Sequence, residues 1–139
     1  MNDARRTVLL AEDDADLRPL LADALRGHGY DVVEVSDGHQ LAAAIAFAFL
    51  QGSETHPRPI VVSDLRLPGR DGLAVVRAAR RRCLWPAVVL MTAYAERAVK
   101  DEARQLGGVT MMEKPFDVEQ LLRAVERVAG GDAAPPPAC

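Results

Sequence analysis

Cysteine is nearly absent from this chain. There are two, Cys83 and Cys139, and the second closes a proline-rich stretch. No disulfide framework is visible in so few, which fits a reducing compartment. Lysine is as scarce, with only Lys100 and Lys114 against an abundance of arginine, so a lysine in a special place carries weight. Positive charge is not in excess: the net charge of -3 argues against direct, non-specific nucleic-acid binding, which needs a basic face. Long apolar runs are missing too. The longest, residues 41–50, is half of what a membrane span requires. Residues 1–6 are charged, and only residues 7–11 separate them from an acidic cluster, which excludes a secretory signal peptide. P-loop and Gly-x-Gly-x-x-Gly patterns are absent, and no His or Cys falls at a zinc spacing. A cytoplasmic protein that meets neither membrane nor nucleic acid directly is expected.

What is present suits one soluble domain: 139 residues, 49% hydrophobic and 27% charged. Strand-like and helix-like segments alternate five times. The strands read as residues 7–11, 31–35, 60–64, 87–91 and 109–113. The helices read as 16–26, 39–51, 72–82 and 96–106, with a last one capped by Asp117. Residues 1–130 are expected to form the domain, and 131–139 a flexible Pro-rich tail or linker. This pattern predicts an α/β fold, a doubly wound five-stranded parallel sheet in the flavodoxin-like order 2-1-3-4-5, in three layers. Strands 1 and 3 are then neighbours, and their C-terminal ends share one crevice.

The chain is organised around residues 60–72. Ile60-Val61-Val62 reads as a doubly buried strand that ends at Asp64, and Pro68-Gly69 and Asp71-Gly72 then turn the chain. In open parallel sheets ligands sit beyond the carboxyl ends of the strands, so Asp64 is placed for chemistry. Strand order brings Glu12, Asp13 and Asp14 beside it. Carboxylates so close repel, and a divalent cation resolves the conflict; an all-oxygen set suits Mg²⁺. Thr92 at the end of strand 4 offers a hydroxyl, and Lys114 at the end of strand 5 an ammonium. Together these make a site for moving a phosphoryl group, with Asp64 as acceptor of an aspartyl phosphate. Each signal alone has an ordinary reading: helix cap, turn former or connector. Four strand ends with compatible chemistry are a much rarer accident.

As a set, Leu9-Leu10-Ala11-Glu12-Asp13-Asp14, residues 63–72, Met91-Thr92-Ala93 and Lys114-Pro115-Phe116 resemble the receiver domain of two-component response regulators, as in chemotaxis regulators. The likeness runs from Thr7 to about Ala129. It implies that Asp64 accepts phosphate from the phosphohistidine of a histidine kinase or phosphotransfer protein. It also implies that Asp13, Asp64 and the main-chain carbonyl of Arg66 bind Mg²⁺, with Glu12 acting through water. Thr92 and Lys114 would contact the phosphoryl oxygens, and the Lys114–Pro115 bond would be cis. Such a domain catalyses only its own phosphorylation and slow dephosphorylation.

Three positions depart from the family's pattern. Met111 stands where a Tyr or Phe usually reports the movement of the threonine, so output by an aromatic rotamer is not available. The second helix and the loop after it are long and apolar; packing accounts for Leu41, Ile45 and Phe49, whereas exposed Phe47 or Leu50 would offer a partner surface. Arg66 and Tyr94, two residues beyond the acceptor and the threonine, are bulky and would screen water from the acyl phosphate. Output is expected through a downstream protein at the helix 4–strand 5–helix 5 face, or through a second copy in a homodimer. Arg97, Lys100, Arg104, Arg123 and Arg127 give that face a basic bias, more simply read as a solvated surface. With no helix-turn-helix after Ala129, a stand-alone regulator is expected, the N-terminal receiver of a longer transcription factor being the alternative. An aspartyl-phosphate phosphatase is more distant, because its second aspartate would fall at Arg66.

Overall fold

The structure is a computed structural model, and it describes residues 5–52, 58–93, 97–131 and 139. The strands are β1 (Thr7–Ala11), β2 (Asp31–Val35), β3 (Ile60–Asp64), β4 (Ala87–Thr92) and β5 (Val109–Glu113). The helices are α1 (Leu17–Gly27), α2 (Gly38–Gln51), α3 (Gly72–Arg81), α4 (Arg97–Leu106) and α5 (Val118–Ala129). All strand pairs are parallel, in the order β2-β1-β3-β4-β5. The expected fold class and strand order hold.

Successive residues of a strand face opposite sides of the sheet, and the core divides accordingly. Val8, Leu10, Ile60, Val62, Val89 and Met91 pack beneath α1 and α5 with Leu21, Leu25, Leu121 and Val125. Leu9, Ala11, Val61, Val88 and Leu90 pack on the other face with Leu41 and Ile45 of α2 and Leu73 and Val76 of α3. The three inner strands are buried on both faces, which is why they read as unbroken apolar runs rather than alternating ones.

Aspartate side chains start three helices. Asp37, Asp71 and Asp117 accept from the backbone N–H groups of Gln40, Ala74 and Gln120, and Gln120 closes a capping box on Asp117. In α1, Asp16 makes no side-chain cap; Asp14 does this work, accepting from Asp16 N at 2.8 Å and Leu17 N at 3.0 Å.

Helix α4 buries only Ala103, so apolar packing holds it weakly. Cationic ties from α3 supplement it. Arg77 pairs with Glu102, and Arg80 Nη1 donates to the carbonyls of Leu106 at 2.8 Å and Gly107 at 2.9 Å. Burial, with Arg58 nearby, pushes the Arg80 guanidinium down to about 10, and its face lies 3.9 Å from the Trp85 ring centre.

One reading needs correction. Cys83 and Cys139 form a disulfide, their Cα atoms 5.5 Å apart. Fifty-six positions separate them, and spacing alone does not reveal pairing. The cysteines therefore give no support to a reducing compartment. Helix α5 ends at Ala129 with Gly130 as its cap. The tail expected to be flexible lies, from 132 to 138, outside the described residues. No helix among the described residues is long and apolar enough to cross a membrane.

Candidate functional site

The site is assembled where β1, β3, β4 and β5 end. β1 ends at Ala11, and Glu12 follows it. Its N–H donates to Val35 O at 3.1 Å, and its carbonyl accepts from Arg18 Nη1 at 2.8 Å. β3 and β4 run in register with Asp64 opposite Met91, and Leu65 N then donates to Met91 O at 2.8 Å. β4 and β5 bring Thr92 opposite Glu113, and Lys114 N donates to Thr92 O at 2.8 Å. Sheet register thus brings Asp64, Thr92 and Lys114 to neighbouring strand ends, each one residue beyond its neighbour's partner, before any side chain is considered.

The side chains complete it. Lys114 Nζ lies 2.9 Å from Glu12 Oε1 and 2.9 Å from Asp64 Oδ2. Asp64 Oδ1 accepts from Arg66 N at 3.2 Å, and Glu12 Oε2 from Asp14 N at 3.2 Å. Glu12 is 1% exposed, Thr92 2% and Asp64 8%, so two buried carboxylates and a buried hydroxyl line a crevice opened by exposed Asp13. Carboxylate oxygens of Glu12, Asp13 and Asp64 all lie within 4.8 Å of one another, a group that could hold a metal ion. Its donors are all oxygen and anionic, which matches a hard divalent cation rather than zinc. The Lys114–Pro115 peptide is cis, as the resemblance implied.

The charges are unequally settled. Burial pushes the Glu12 carboxyl above its ordinary range; the bonds from Lys114 and from the Asp14 N–H oppose this, and the charge of Asp64 adds a smaller push upward. Burial alone would lower the Lys114 ammonium; its hydrogen bonds to Glu12 and Asp64 outweigh that and hold it above its ordinary value. Backbone N–H groups of Leu17 and Asp16 hold Asp14 below the usual carboxylate range. The acidic triplet therefore divides, with Glu12 and Asp13 facing the crevice while Asp14 caps α1.

A pH dependence follows. Because the folded Glu12 pKa is raised, the native chain keeps a proton that the unfolded chain releases just above pH 4.5, and stability falls as pH rises through that window. Glu12→Gln removes this decline. Urea unfolding between pH 4 and 8 should show the variant gaining on the wild type as pH rises; parallel profiles would contradict it.

Of the other positions singled out, Arg66 is exposed on the turn after Asp64, and Met111 is half-buried against the α2–α3 side of the core. Tyr94 lies outside the described residues. Phe47 and Leu50 are 62% and 82% exposed, whereas Leu41 and Ile45 are buried. Phe47 lines a groove of about 470 Å³ with Leu9, Val33 and Ala48, away from the acidic cluster. Arg18 was missed by sequence reasoning, and its only signal was a lone arginine among the leucines opening α1.

Residues 8–126 match the response regulator receiver domain. The chain is 36% identical over 122 residues to the transcriptional regulatory protein PdtaR of Mycobacterium tuberculosis, covering 87% of this chain and 55% of that one. It therefore spans about half the length of that relative. It is 28% identical over 121 residues to sporulation initiation phosphotransferase F of Bacillus subtilis, covering 86% and 90%. Among solved structures, a response regulator receiver protein from Sinorhizobium medicae superposes with a TM-score of 0.73 at 27% identity, covering 94% and 98%.

Proposed function

The chain belongs to the response regulator receiver domain family, and from that premise we propose that Asp64 takes a phosphoryl group from the phosphohistidine of a histidine kinase or phosphotransfer protein. One observation carries the reading: Asp64 ends the central strand with its carboxylate on Lys114 and within 4.8 Å of those of Glu12 and Asp13. A carboxylate oxygen of Asp64 attacks phosphorus, the P–N bond of the donor breaks, and the imidazole leaves with the electron pair. Asp13, Asp64 and the carbonyl of Arg66 would hold Mg²⁺, with Glu12 reaching it through water. When bound, the ion supplies positive charge against the carboxylates and the phosphoryl oxygens. Lys114 keeps a second positive charge at the same place, and the Thr92 hydroxyl donates to a phosphoryl oxygen. Receiver domains signal rather than turn over substrate, so the product is a changed surface.

We place that surface at α4, β5 and α5. Its basic bias is reduced, because Lys100 pairs with Glu113 at 3.3 Å and Arg104 with Asp101 at 3.8 Å. That supports the solvated-face reading over an acidic partner. Met111, unbranched and apolar, would report phosphorylation by repacking rather than by an aromatic swing. The relatives fit both a stand-alone regulator and a receiver within a longer transcription factor. A cytoplasmic site rests on the phosphohistidine donor, no longer on the cysteines.

The test is incubation with acetyl phosphate, with and without Mg²⁺, read by intact mass. One phosphoryl group per chain, formed only with Mg²⁺, is the expected result; no adduct, or one indifferent to the ion, would refute the reading. Lifetime is a separate expectation. Arg66, exposed on the turn beside Asp64, would screen the acyl phosphate from water, so Arg66→Asn should shorten its half-life several-fold. An unchanged half-life would remove Arg66 as the screen.

A further inference from the structure

The turn that must lend Arg66's carbonyl to the metal is braced from outside by the first residues of α2, and the structure shows how. Leu65 anchors the turn at its start through Met91, and Gly72 N closes its end on Leu65 O at 2.9 Å. Between these points, Arg66 to Asp71 has no strand partner. The outward bulge is held by α2 instead: Gly38 N donates to Pro68 O at 3.0 Å, and the same carbonyl accepts from Arg70 N at 3.0 Å. Gly38 is buried, and no side chain fits there. A Cβ on it would stand 2.0 Å from Arg70 O and 2.7 Å from both Arg70 C and Arg70 Cβ. The obstacle is mainly backbone, which cannot swing aside as a flexible side chain would. One residue on, the edge of the His39 imidazole covers Gly69: a Cβ on Gly69, whose φ is +81°, would meet His39 Cδ2 at 2.7 Å.

We propose that Gly38 and His39 are positioning residues for the Mg²⁺ site, acting through the turn 66–70 and touching no ligand of the ion. Mg²⁺ demands near-octahedral oxygens at about 2.1 Å, so a displaced carbonyl is a lost ligand. Asp64 holds one side of Arg66 through the bond from Arg66 N, and on the other side the chain runs through Leu67, buried in the core, into the turn. Pro68 is the next residue, and Gly38 holds it. Pushing Arg70 outward breaks that hold and drags the carbonyl of Arg66 from its place, while Asp13 and Asp64 stay where the sheet puts them. This inference rests on the reading of the acidic group as the metal site.

The experiment uses the full chain, with Mn²⁺ as the probe and free Mn²⁺ read by electron paramagnetic resonance. Amide hydrogen exchange of residues 65–71 is followed without metal. Gly38→Ala should weaken Mn²⁺ binding roughly tenfold, about 1.4 kcal/mol, and speed exchange in the turn. Gly27→Ala, where an added Cβ meets nothing within 4 Å, should leave both at wild-type values. Wild-type affinity in Gly38→Ala, or equal weakening in Gly27→Ala, overturns the proposal. Should Gly38→Ala fail to fold, His39→Ala decides. That residue is exposed, its loss should weaken binding two- to threefold and speed exchange at 68–70, and wild-type behaviour in both overturns the proposal. A wild-type chain that takes up no Mn²⁺ instead refutes the metal-site reading itself.

Discussion

Asp64→Asn should reduce Mg²⁺-dependent labelling by acetyl phosphate to background while leaving the fold intact. Asparagine keeps the volume and planar shape of the side chain, but its amide nitrogen is no nucleophile toward phosphorus and its oxygen carries no full charge. The structure also says why folding should survive. Lys114 loses one of its two anionic partners and keeps Glu12 at 2.9 Å. One member leaves a group of three carboxylates whose oxygens lie within 4.8 Å of one another, so repulsion falls. Without Mg²⁺ the thermal midpoint should therefore be no lower than that of the wild type, and added Mg²⁺ should raise it less. Intact mass and thermal unfolding on the same samples check both halves. An adduct that survives the substitution would move the acceptor to another carboxylate of the crevice, with Asp13 the first candidate.

The residues that meet in the crevice are legible in the sequence because they sit at strand ends, and strand ends are marked by unbroken apolar runs that stop at polar residues. Val61-Val62-Ser63-Asp64 and Val89-Leu90-Met91-Thr92 announce both the burial and its limit. Parallel order then makes neighbours of residues fifty positions apart, as with Asp64 and Lys114. What could not be read depends on side-chain direction or on approach between backbones. Glu12-Asp13-Asp14 looks like one acidic run, yet Asp14 turns back onto α1 and only the first two face the crevice. Gly38 reads as half of an Asp-Gly turn; only the backbone of Arg70 reveals why a side chain is excluded there. The disulfide escaped for a related reason: Cys83 and Cys139 carry no local signal of each other. Helix α4 shows the converse. Its thin apolar stripe was visible, but its attachment through Arg77 and Arg80 of α3 lies in contacts that no periodicity encodes.

Lys114→Met should cost more stability than Asp64→Asn and slow labelling without abolishing it. Methionine keeps the apolar stem but is one atom shorter than lysine and uncharged, leaving Glu12, 1% exposed, without its ion-pair partner among the described residues, and Asp64 with one fewer donor. Breaking a buried pair by removing one partner costs roughly 3–5 kcal/mol. The low end, about 3 kcal/mol, is expected, because Glu12 can take up a proton and so escape as an uncharged acid. The pH dependence separates this cause from lost packing. Lys114 has a raised folded pKa, so its contribution is fully present below its ordinary value of 10.5 and is lost only as pH rises through the folded value. The gap between wild type and variant, measured by urea unfolding without metal, should widen with pH while Glu12 of the variant stays protonated, level off once it ionises, and close only above about 10. A packing defect would leave a gap indifferent to pH. Mg²⁺ offers a second discriminator, since a cation among Glu12, Asp13 and Asp64 replaces part of the missing charge, so millimolar Mg²⁺ should stabilise the variant more than the wild type. Labelling should not recover with it. The ion relieves the carboxylates, but nothing then stands where Lys114 met the incoming phosphoryl oxygens, so a stable, Mg²⁺-loaded and still slowly labelled variant is the expected outcome. A variant as stable as the wild type at pH 7 without metal would sink the argument.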